Sequence, residues 1–219
     1  MTATNTSTLT ALLLLSMTPL AGAAEPTWDG LELRPAEGVD AVYVRPGVAF
    51  KAYDSVVLDV PIEVAFDKNW DPNHGVRGAS RQLNANDIQR IRDEMASEFQ
   101  AVFTEELESG GYALASEVGD RTLRVMAGLG DVYINAPERP GSGRTLSYTV
   151  EPGRMTLVME LRDGPTGQLL ARVIDTTTGR STSPFLMTTT SSNKAAFRSA
   201  VRDWSQQLVE ALDSLNGKE

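Results

Sequence analysis

The stretch S-V-V-L-D-V-P-I-E-V-A-F, residues 55–66, decides the fold because apolar side chains occupy every second position. This alternation is typical of a β-strand with one buried face. The predicted buried face consists of Val56, Leu58, Val60, Ile62, Val64 and Phe66. Pro61 has no N–H to donate to a neighbouring strand, so it predicts a bulge or an edge that is unpaired on that side.

Two long amphipathic helices are predicted on either side of a strand-rich region. Asn84 is a good N-cap, with Asp87 three residues later, and Gly110-Gly111 is typical of a helix end. The apolar stripe of this first helix recurs every three or four residues at Ile88, Ile91, Met95, Phe99, Val102 and Phe103. A second stripe predicts a helix ending at Asn216-Gly217, and it consists of Phe197, Val201, Trp204, Leu208, Leu212 and Leu215.

Four or five strands are predicted between the helices, from Tyr112 to Asp175, as an antiparallel meander. The run 163–167, Asp-Gly-Pro-Thr-Gly, predicts a hairpin loop, and the Thr- and Ser-rich stretch 176–192 predicts a polar loop. Strand, helix, several strands and helix indicate one α+β domain over residues 55–217, with a mostly antiparallel sheet and both helices packed on it. We expect residues 24–54, which contain several Pro and Gly, to be an extended N-terminal segment packed on that domain.

The N-terminus resembles a cleavable signal peptide over residues 1–23. A short apolar run beginning at Leu9 ends in Ala21-Gly22-Ala23, a pattern that a signal peptidase accepts, so we expect cleavage near Ala23 and a periplasmic protein. The apolar run is shorter than the roughly 20 residues that span a bilayer. Leu20-Ala21-Gly22 resembles a lipoprotein signal, but Ala23 stands where the lipidated cysteine would be, so we do not expect a lipid anchor.

Composition excludes several classes of function. The chain contains 20 basic and 29 acidic residues, for a net charge of −9, and its arginines are scattered among acidic residues. Nucleic acid is therefore not an expected partner, because phosphate backbones are bound by clustered cations. The absence of cysteine excludes disulfides, cysteine nucleophiles and thiolate metal sites.

The irregular stretch 67–82 is the best candidate for a contact with another envelope protein, because functional residues are often found on long loops. A large aromatic side chain beside a loop rich in Gly and Pro can anchor a partner. The candidate partner surface consists of Phe66, Trp70, Asp71, His74 and Arg77. The alternative for Trp70 is a side chain folded back as a lid on the core.

Catalytic and cofactor sites are not predicted. Asp59 and Glu63 are four residues apart on one predicted strand and point to the same side, as paired carboxylates of glycoside hydrolases do. The alternative is a solvent-facing pair, or a pair covered by the N-terminal segment with Arg45 or Lys51 as partners. His74 is the only histidine, which is too few for a zinc site in a chain without cysteine.

A lone Gly-x-Gly at 128–130 lacks the third glycine and the following helix of a dinucleotide-binding motif. The two glycines are better explained by a kink or bulge in a long strand. The chain thus offers no recognisable cofactor-binding sequence.

Three stretches carry a resemblance to a known family. They are Tyr43-Val44-Arg45-Pro46-Gly47 followed by Tyr53, the strand 57–66 running into Trp70, and residues 163–175 with their Thr-Gly turn before Leu-Leu-Ala-Arg. Together they resemble the bacterial lipoprotein family called domain of unknown function DUF3313, over about Thr27 to Leu215. The resemblance implies an envelope protein of Gram-negative bacteria with no assigned activity and no catalytic residues to transfer. Ala23 departs from the lipoprotein pattern.

Three functions are compatible with these observations. The first is a non-enzymatic binding or assembly accessory in the periplasm. The second is an enzyme acting on a small molecule or glycan through Asp59, Glu63 or His74, and the third is a carrier of a small apolar ligand. An accessory needs an exposed aromatic or apolar patch, an enzyme needs carboxylates converging in a pocket, and a carrier needs a cavity in the core.

Overall fold

The computed structural model describes residues 29–48, 50, 53–79, 82–134, 147–149, 153–178, 186–188 and 190–216. The predicted signal peptide, residues 1–23, lies outside the described residues. Within the described ranges, the strands are β1 (Glu32–Arg34), β2 (Ala41–Val44), β3 (Ser55–Leu58), β4 (Glu63–Phe66), β5 (Ala113–Leu114), β6 (Thr122–Tyr133), β7 (Ser147–Thr149), β8 (Arg154–Asp163), β9 (Leu169–Thr178) and β10 (Leu186–Thr188). The helices are α1 (Ala85–Ser109) and α2 (Thr190–Asn216).

Eight strands form one mixed sheet in the order β1-β2-β9-β8-β6-β3-β5, and β4 pairs with β6 farther along the edge that β3 occupies. The pairs from β1 through β2, β9 and β8 to β6 are antiparallel, whereas β3 and β4 run parallel to β6. β7 and β10 form a separate antiparallel pair. The predicted α+β fold with a mostly antiparallel sheet is confirmed.

The N-terminal segment contributes strands to this sheet. β1 and β2 both come from the segment 24–54, and β2 pairs with β9 over residues 41–44. Arg45 then continues the contact, because its backbone N–H donates to Leu170 O at 2.8 Å and its Nε donates to Leu169 O at 2.6 Å.

The predicted strand 55–66 is two strands, β3 and β4, separated at residues 59–62. Asp59 N donates to Val125 O, after which Pro61 has no N–H to continue the ladder with β6. The prediction of a buried Val60 is wrong, since 55% of this residue is exposed. Ile62 and Val64 return to the buried face as the alternation predicts.

The predicted start and end of α1 are confirmed. Asn84 Oδ1 accepts from the backbone N–H groups of Asn86 and Asp87 at 2.8 and 3.2 Å, and Asp87 Oδ2 accepts from Asn84 N at 3.0 Å. This reciprocal capping box satisfies N–H groups that have no partner within the helix. Gly110 caps the C-terminus, and Gly111 follows with a φ of 80°.

Gly110 is also a point of close contact between the helices. A Cβ atom at this position would lie 2.6 Å from Val209 Cγ1 and 2.8 Å from Val209 Cγ2. Because real Cβ atoms do not approach carbon so closely, any other residue at position 110 would force Val209 or α2 to shift.

Both described helices pack on one face of the sheet, where they share a single core with β3, β4, β6, β8 and β9. Phe99 and Phe103 of α1 stack with ring centroids 5.4 Å apart, and both are fully buried. Trp204 of α2 is buried, as its place on the apolar stripe predicts. No helix among the described residues has an apolar stretch long enough to cross a bilayer.

The region after Asp175 differs from the prediction of a polar loop over 176–192. β9 continues to Thr178, β10 occupies 186–188, and α2 begins at Thr190. Hydroxyl side chains are tolerated in strands when a neighbouring strand pairs with them, and Thr176 lies opposite Thr156 with their Oγ1 atoms 3.2 Å apart. The bulge predicted near Gly128 and Gly130 is confirmed, since the β6–β8 register shifts between Gly130 and Tyr133.

Candidate functional site

The aromatic part of the candidate partner surface is tied to the domain. Phe66 and Trp70 stack with ring centroids 4.1 Å apart at an angle of 19°, and Trp70 Nε1 donates to Ile134 O at 3.0 Å. The Arg92 guanidinium lies 5.5 Å from the centroid of the Phe66 ring, within the range of a cation–π contact. Both aromatic residues are half-buried, so they close one end of the core and leave part of their surface to solvent.

The polar members of that surface, Asp71, His74 and Arg77, are exposed on the following loop. Asp71 Oδ1 accepts from Asn73 N at 2.9 Å, and Asp71 O accepts from His74 N at 3.2 Å. The Asn73 side chain then bonds both Leu83 N and Leu83 O, at 2.8 and 2.9 Å. The loop is therefore bonded to the start of α1 while its three polar residues point outward.

Asp67 connects the loop after β4 to strand β8. This buried carboxylate accepts from Asn69 N at 2.7 Å and forms an ion pair with Arg154. The bond from the Asn69 backbone is the main cause that lowers the pKa of Asp67, and Arg154 adds to it against the effect of burial. Asp67 thus remains a charged anchor between the loop and β8.

Asp59, Glu63 and His74 are not brought together as a catalytic group would be. Arg124 Nε donates to both carboxylate oxygens of Asp59, at 2.7 and 2.9 Å, which raises the pKa of Arg124. The expectation of Arg45 as the partner of Asp59 is wrong, because Arg45 bonds Leu169 O and Asp29 O instead; Lys51 lies outside the described residues. In the described part of the chain, no hydrogen bond or ion pair joins any two of the three.

Glu63 lines an open groove of about 340 Å³ between β4 and the first half of α1. Arg92 crosses this groove, and its Nε donates to Val64 O at 2.9 Å. One edge of β4 pairs with β6. The opposite edge has no strand partner among the described residues, and the carbonyl that Arg92 bonds lies on this open edge. Charged side chains on such edges oppose unwanted strand pairing. Within the described residues, no three His, Asp or Glu side chains are grouped so as to hold a metal ion.

Sequence reasoning missed a larger surface, the side of the sheet that faces away from α1 and α2. Successive side chains of a strand point to opposite faces, so Leu157 and Met159 enter the core while Val158 between them points outward. The register places Val158 opposite Ile174 of β9 and Gly128 of β6. We name the apolar side chains of this face the outer band: Leu33, Ala41, Tyr43, Met126, Val158 and Ile174.

Three large side chains of the outer band are unusually exposed. The exposed fractions are 53% for Leu33, 38% for Met126 and 37% for Val158. An antiparallel sheet with one solvated face normally places polar residues there. The signal in the sequence was a continuous apolar run, Leu157-Val158-Met159 in β8, which is apolar on both faces instead of alternating.

Ion pairs interrupt the outer band, because Arg172 and Glu160 lie between Tyr43 and Met126 in the register of the sheet. Arg172 bonds Glu160 and Asp29, at 2.6 Å in both cases, and Arg162 bonds Glu160 at 2.6 Å. Burial acts to raise the pKa of Glu160, but the hydrogen bonds from Arg172 and Arg162 outweigh it, so the pKa is lowered. The network keeps Glu160 ionised and holds both arginines on the outer side of the sheet.

Comparison with solved structures finds matches with low sequence identity and low TM-scores. The PelC dodecamer from Paraburkholderia phytofirmans is 14% identical, with a TM-score of 0.36, over 74% of this chain and 94% of that chain. A DUF4136 family protein from Bacteroides thetaiotaomicron is 14% identical, with a TM-score of 0.37, over 84% of this chain and 96% of that chain. No curated protein matches the sequence.

The resemblance noted in three stretches of sequence extends through most of the chain. Residues 27–208 match the family described as Protein of unknown function (DUF3313), so the match includes all of α1, α2 as far as Leu208 and every strand of the large sheet. The chain belongs to the DUF3313 family of proteins of unknown function.

Proposed function

We propose that this protein is an exported, non-enzymatic binding or assembly accessory of the bacterial envelope that works in the periplasm. The observation that carries the proposal is the outer band, because large apolar side chains remain exposed on a sheet face whose opposite side is fully packed. Large apolar side chains exposed on one face are typical of protein interaction sites. The exposed residues Asp71, His74 and Arg77 are the second candidate contact surface.

The bonds of Asp59 favour this function over the enzymatic alternative. A carboxylate held by both oxygens to an arginine is already neutralised, and neither Glu63 nor His74 is bonded to it. General acid–base catalysis needs a group free to exchange a proton with substrate. Asp59 is better explained as a support for β6 and the turn after β3.

Export is tested by separating periplasm from cytoplasm in cells that express the full chain. We expect a periplasmic protein whose N-terminus, determined by mass spectrometry, lies near Ala24. A Leu13→Arg variant, which places a charge in the apolar run, should stay in the cytoplasm at full length. A wild-type chain that keeps residues 1–23 and remains cytoplasmic would contradict export.

Binding is tested by placing a photoreactive amino acid at Val158 of the full chain and irradiating intact cells. Gln100, exposed on the solvent side of α1, is the matched control, and His74 samples the loop. We expect crosslinked products at Val158 or His74 that are absent at Gln100. Equal labelling at all three positions, or none, would exclude a specific contact at these surfaces.

A further inference from the structure

Most charges of the outer face, the side of the sheet that faces away from α1 and α2, are paired within that face; the exception is exposed Glu63 on the edge strand β4, opposite Gly128. Arg124 pairs with Asp59, Arg172 pairs with Asp29 and Glu160, and Arg162 pairs with Glu160. These six side chains supply three positive and three negative charges, although the whole chain carries a net charge of −9. A partner of opposite charge would gain little from these paired charges, and a second copy of the face would bring like charge only at Glu63 on its edge.

The outer face has the size of a stable interface. Six strand positions, from β1 to the edge shared by β3 and β4, span about 24 Å at the usual spacing between strands. β8 has ten residues and extends about 33 Å, so the face covers up to about 800 Å². A standard protein–protein interface buries about 800 Å² on each partner.

We propose that the outer face binds the outer face of a second copy of this chain, with the two sheets stacked face to face. This inference rests on the proposed function, because it names the partner of the same surface. A two-fold dimer presents the same patch from both subunits, so the patch must be complementary to itself. The outer band and its internally paired charges satisfy that condition, and two copies of one sheet share the twist that aligned stacking needs.

Gly128 gives this face a place for an inserted side chain. It lies on β6 directly opposite Val158, and it presents no side chain to the outer face. Gly128 therefore leaves a shallow depression in this surface, with Val158 on one side and Glu63 of β4 on the other. In a two-fold arrangement, each copy can place an outward apolar side chain in the depression of the other.

The test uses the absence of cysteine in the native chain. Two single-cysteine variants of the full chain are made, Val158→Cys on the outer face and Gln100→Cys on the solvent side of α1. We expect mild oxidation at micromolar protein concentration to convert Val158→Cys largely into a disulfide-linked dimer while Gln100→Cys stays monomeric. Similar yields of dimer from both variants would overturn the proposal, because they would reflect random collision.

Solution mass provides a measurement that does not depend on cysteine. Wild-type protein should elute with the mass of a dimer, and Val158→Lys, which adds a charge at an already exposed position, should elute as a folded monomer. The dimer should persist as salt is raised, because its contacts are apolar and each chain carries a net charge of −9. A monomeric wild type, or dissociation by salt, would overturn the proposal.

Different results would contradict the proposed binding function and the proposed self-association. A folded wild-type monomer together with a Val158 photocrosslink to a different protein would overturn the self-association and leave the binding function standing. A Val158 photocrosslink whose mass equals two copies of the chain supports both. An internal crosslink that leaves the monomer mass unchanged shows that the chain covers its own outer face, and overturns the dimer.

Discussion

Trp204 Nε1 donates to Asp175 Oδ2 at 2.6 Å, and this bond ties the middle of α2 to the core side of β9. The other oxygen of Asp175 accepts from Asp40 N at 3.1 Å, just before β2 begins. One carboxylate therefore connects α2, β9 and the N-terminal strands. Because Trp204 is buried, its indole N–H has to find a partner inside the protein.

Removing either member of this pair should destabilise the fold. We expect Trp204→Phe, which loses the indole N–H donor, to lower the free energy of unfolding by about 1–3 kcal/mol, because the half-buried carboxylate of Asp175 loses a hydrogen bond. Urea unfolding followed by circular dichroism measures the change. Gln100→Ala, at an exposed helix position, is the control and should change stability by less than about 0.5 kcal/mol. A Trp204→Phe variant as stable as wild type would show that the bond does not stabilise the protein.

Gly110→Ala should lower stability by about 1–3 kcal/mol, because the new Cβ would overlap Val209 where α2 crosses the end of α1. The double variant Gly110→Ala with Val209→Ala supplies the matched test, since it removes the atoms that cause the overlap. We expect the second change to cost less in the Gly110→Ala background than alone. Strictly additive losses of unfolding free energy would contradict the steric explanation.

Arg92→Ala should destabilise the protein by about 1–3 kcal/mol, because Val64 O on the edge of β4 loses a charged donor and Phe66 loses its cation–π contact. Arg90 provides a control on the same turn of α1. It pairs with Glu94 at the surface, so Arg90→Ala should cost no more than about 0.5 kcal/mol. Equal losses for the two variants in thermal unfolding would show that the edge contact is unimportant.

Glu160 should make stability depend on acid pH. Its folded-state pKa is lowered, so its ionised form stabilises the fold above the unfolded pKa of about 4.3, and this contribution is lost as the pH falls through the folded value. We expect Glu160→Gln to lower the free energy of unfolding by about 1–2 kcal/mol at pH 7. The difference from wild type should shrink towards zero as acid protonates Glu160 in both states. If the difference in unfolding free energy between wild type and Glu160→Gln stays constant down to the acid transition, the charge of Glu160 does not stabilise the fold.

The local elements of this fold follow from short-range patterns in the sequence. The Asn84–Asp87 capping box, the Gly110-Gly111 end and the buried stripe through Trp204 each depend on residues within a few positions of one another. The break in the 55–66 strand was harder to place. Pro61 indicated an irregularity there, but the exposure of Val60 depends on where β6 ends its pairing with β3 and resumes it with β4.

Long-range pairing produced what sequence reasoning missed. A polar stretch became the end of β9 because Thr156 and Thr176 lie opposite each other in the sheet. The place of Asp59 in the chain suggests Arg45 or Lys51 as a partner, whereas the parallel register of β3 and β6 brings it to Arg124, 65 residues away. Partner choice depends on register, and register is set by the whole sheet.

The sequence by itself determined the α+β class, the caps and buried stripes of the helices, and membership of DUF3313, since each rests on local periodicity or on motifs in order. Only the tertiary structure decided that Leu33, Met126 and Val158 share one exposed surface. These residues lie on three strands far apart in sequence, and they come onto one surface only when β1, β6 and β8 join the same sheet with both helices on its other side. An alternation pattern shows that a strand has two faces, but which face a helix covers is settled by packing across the whole domain.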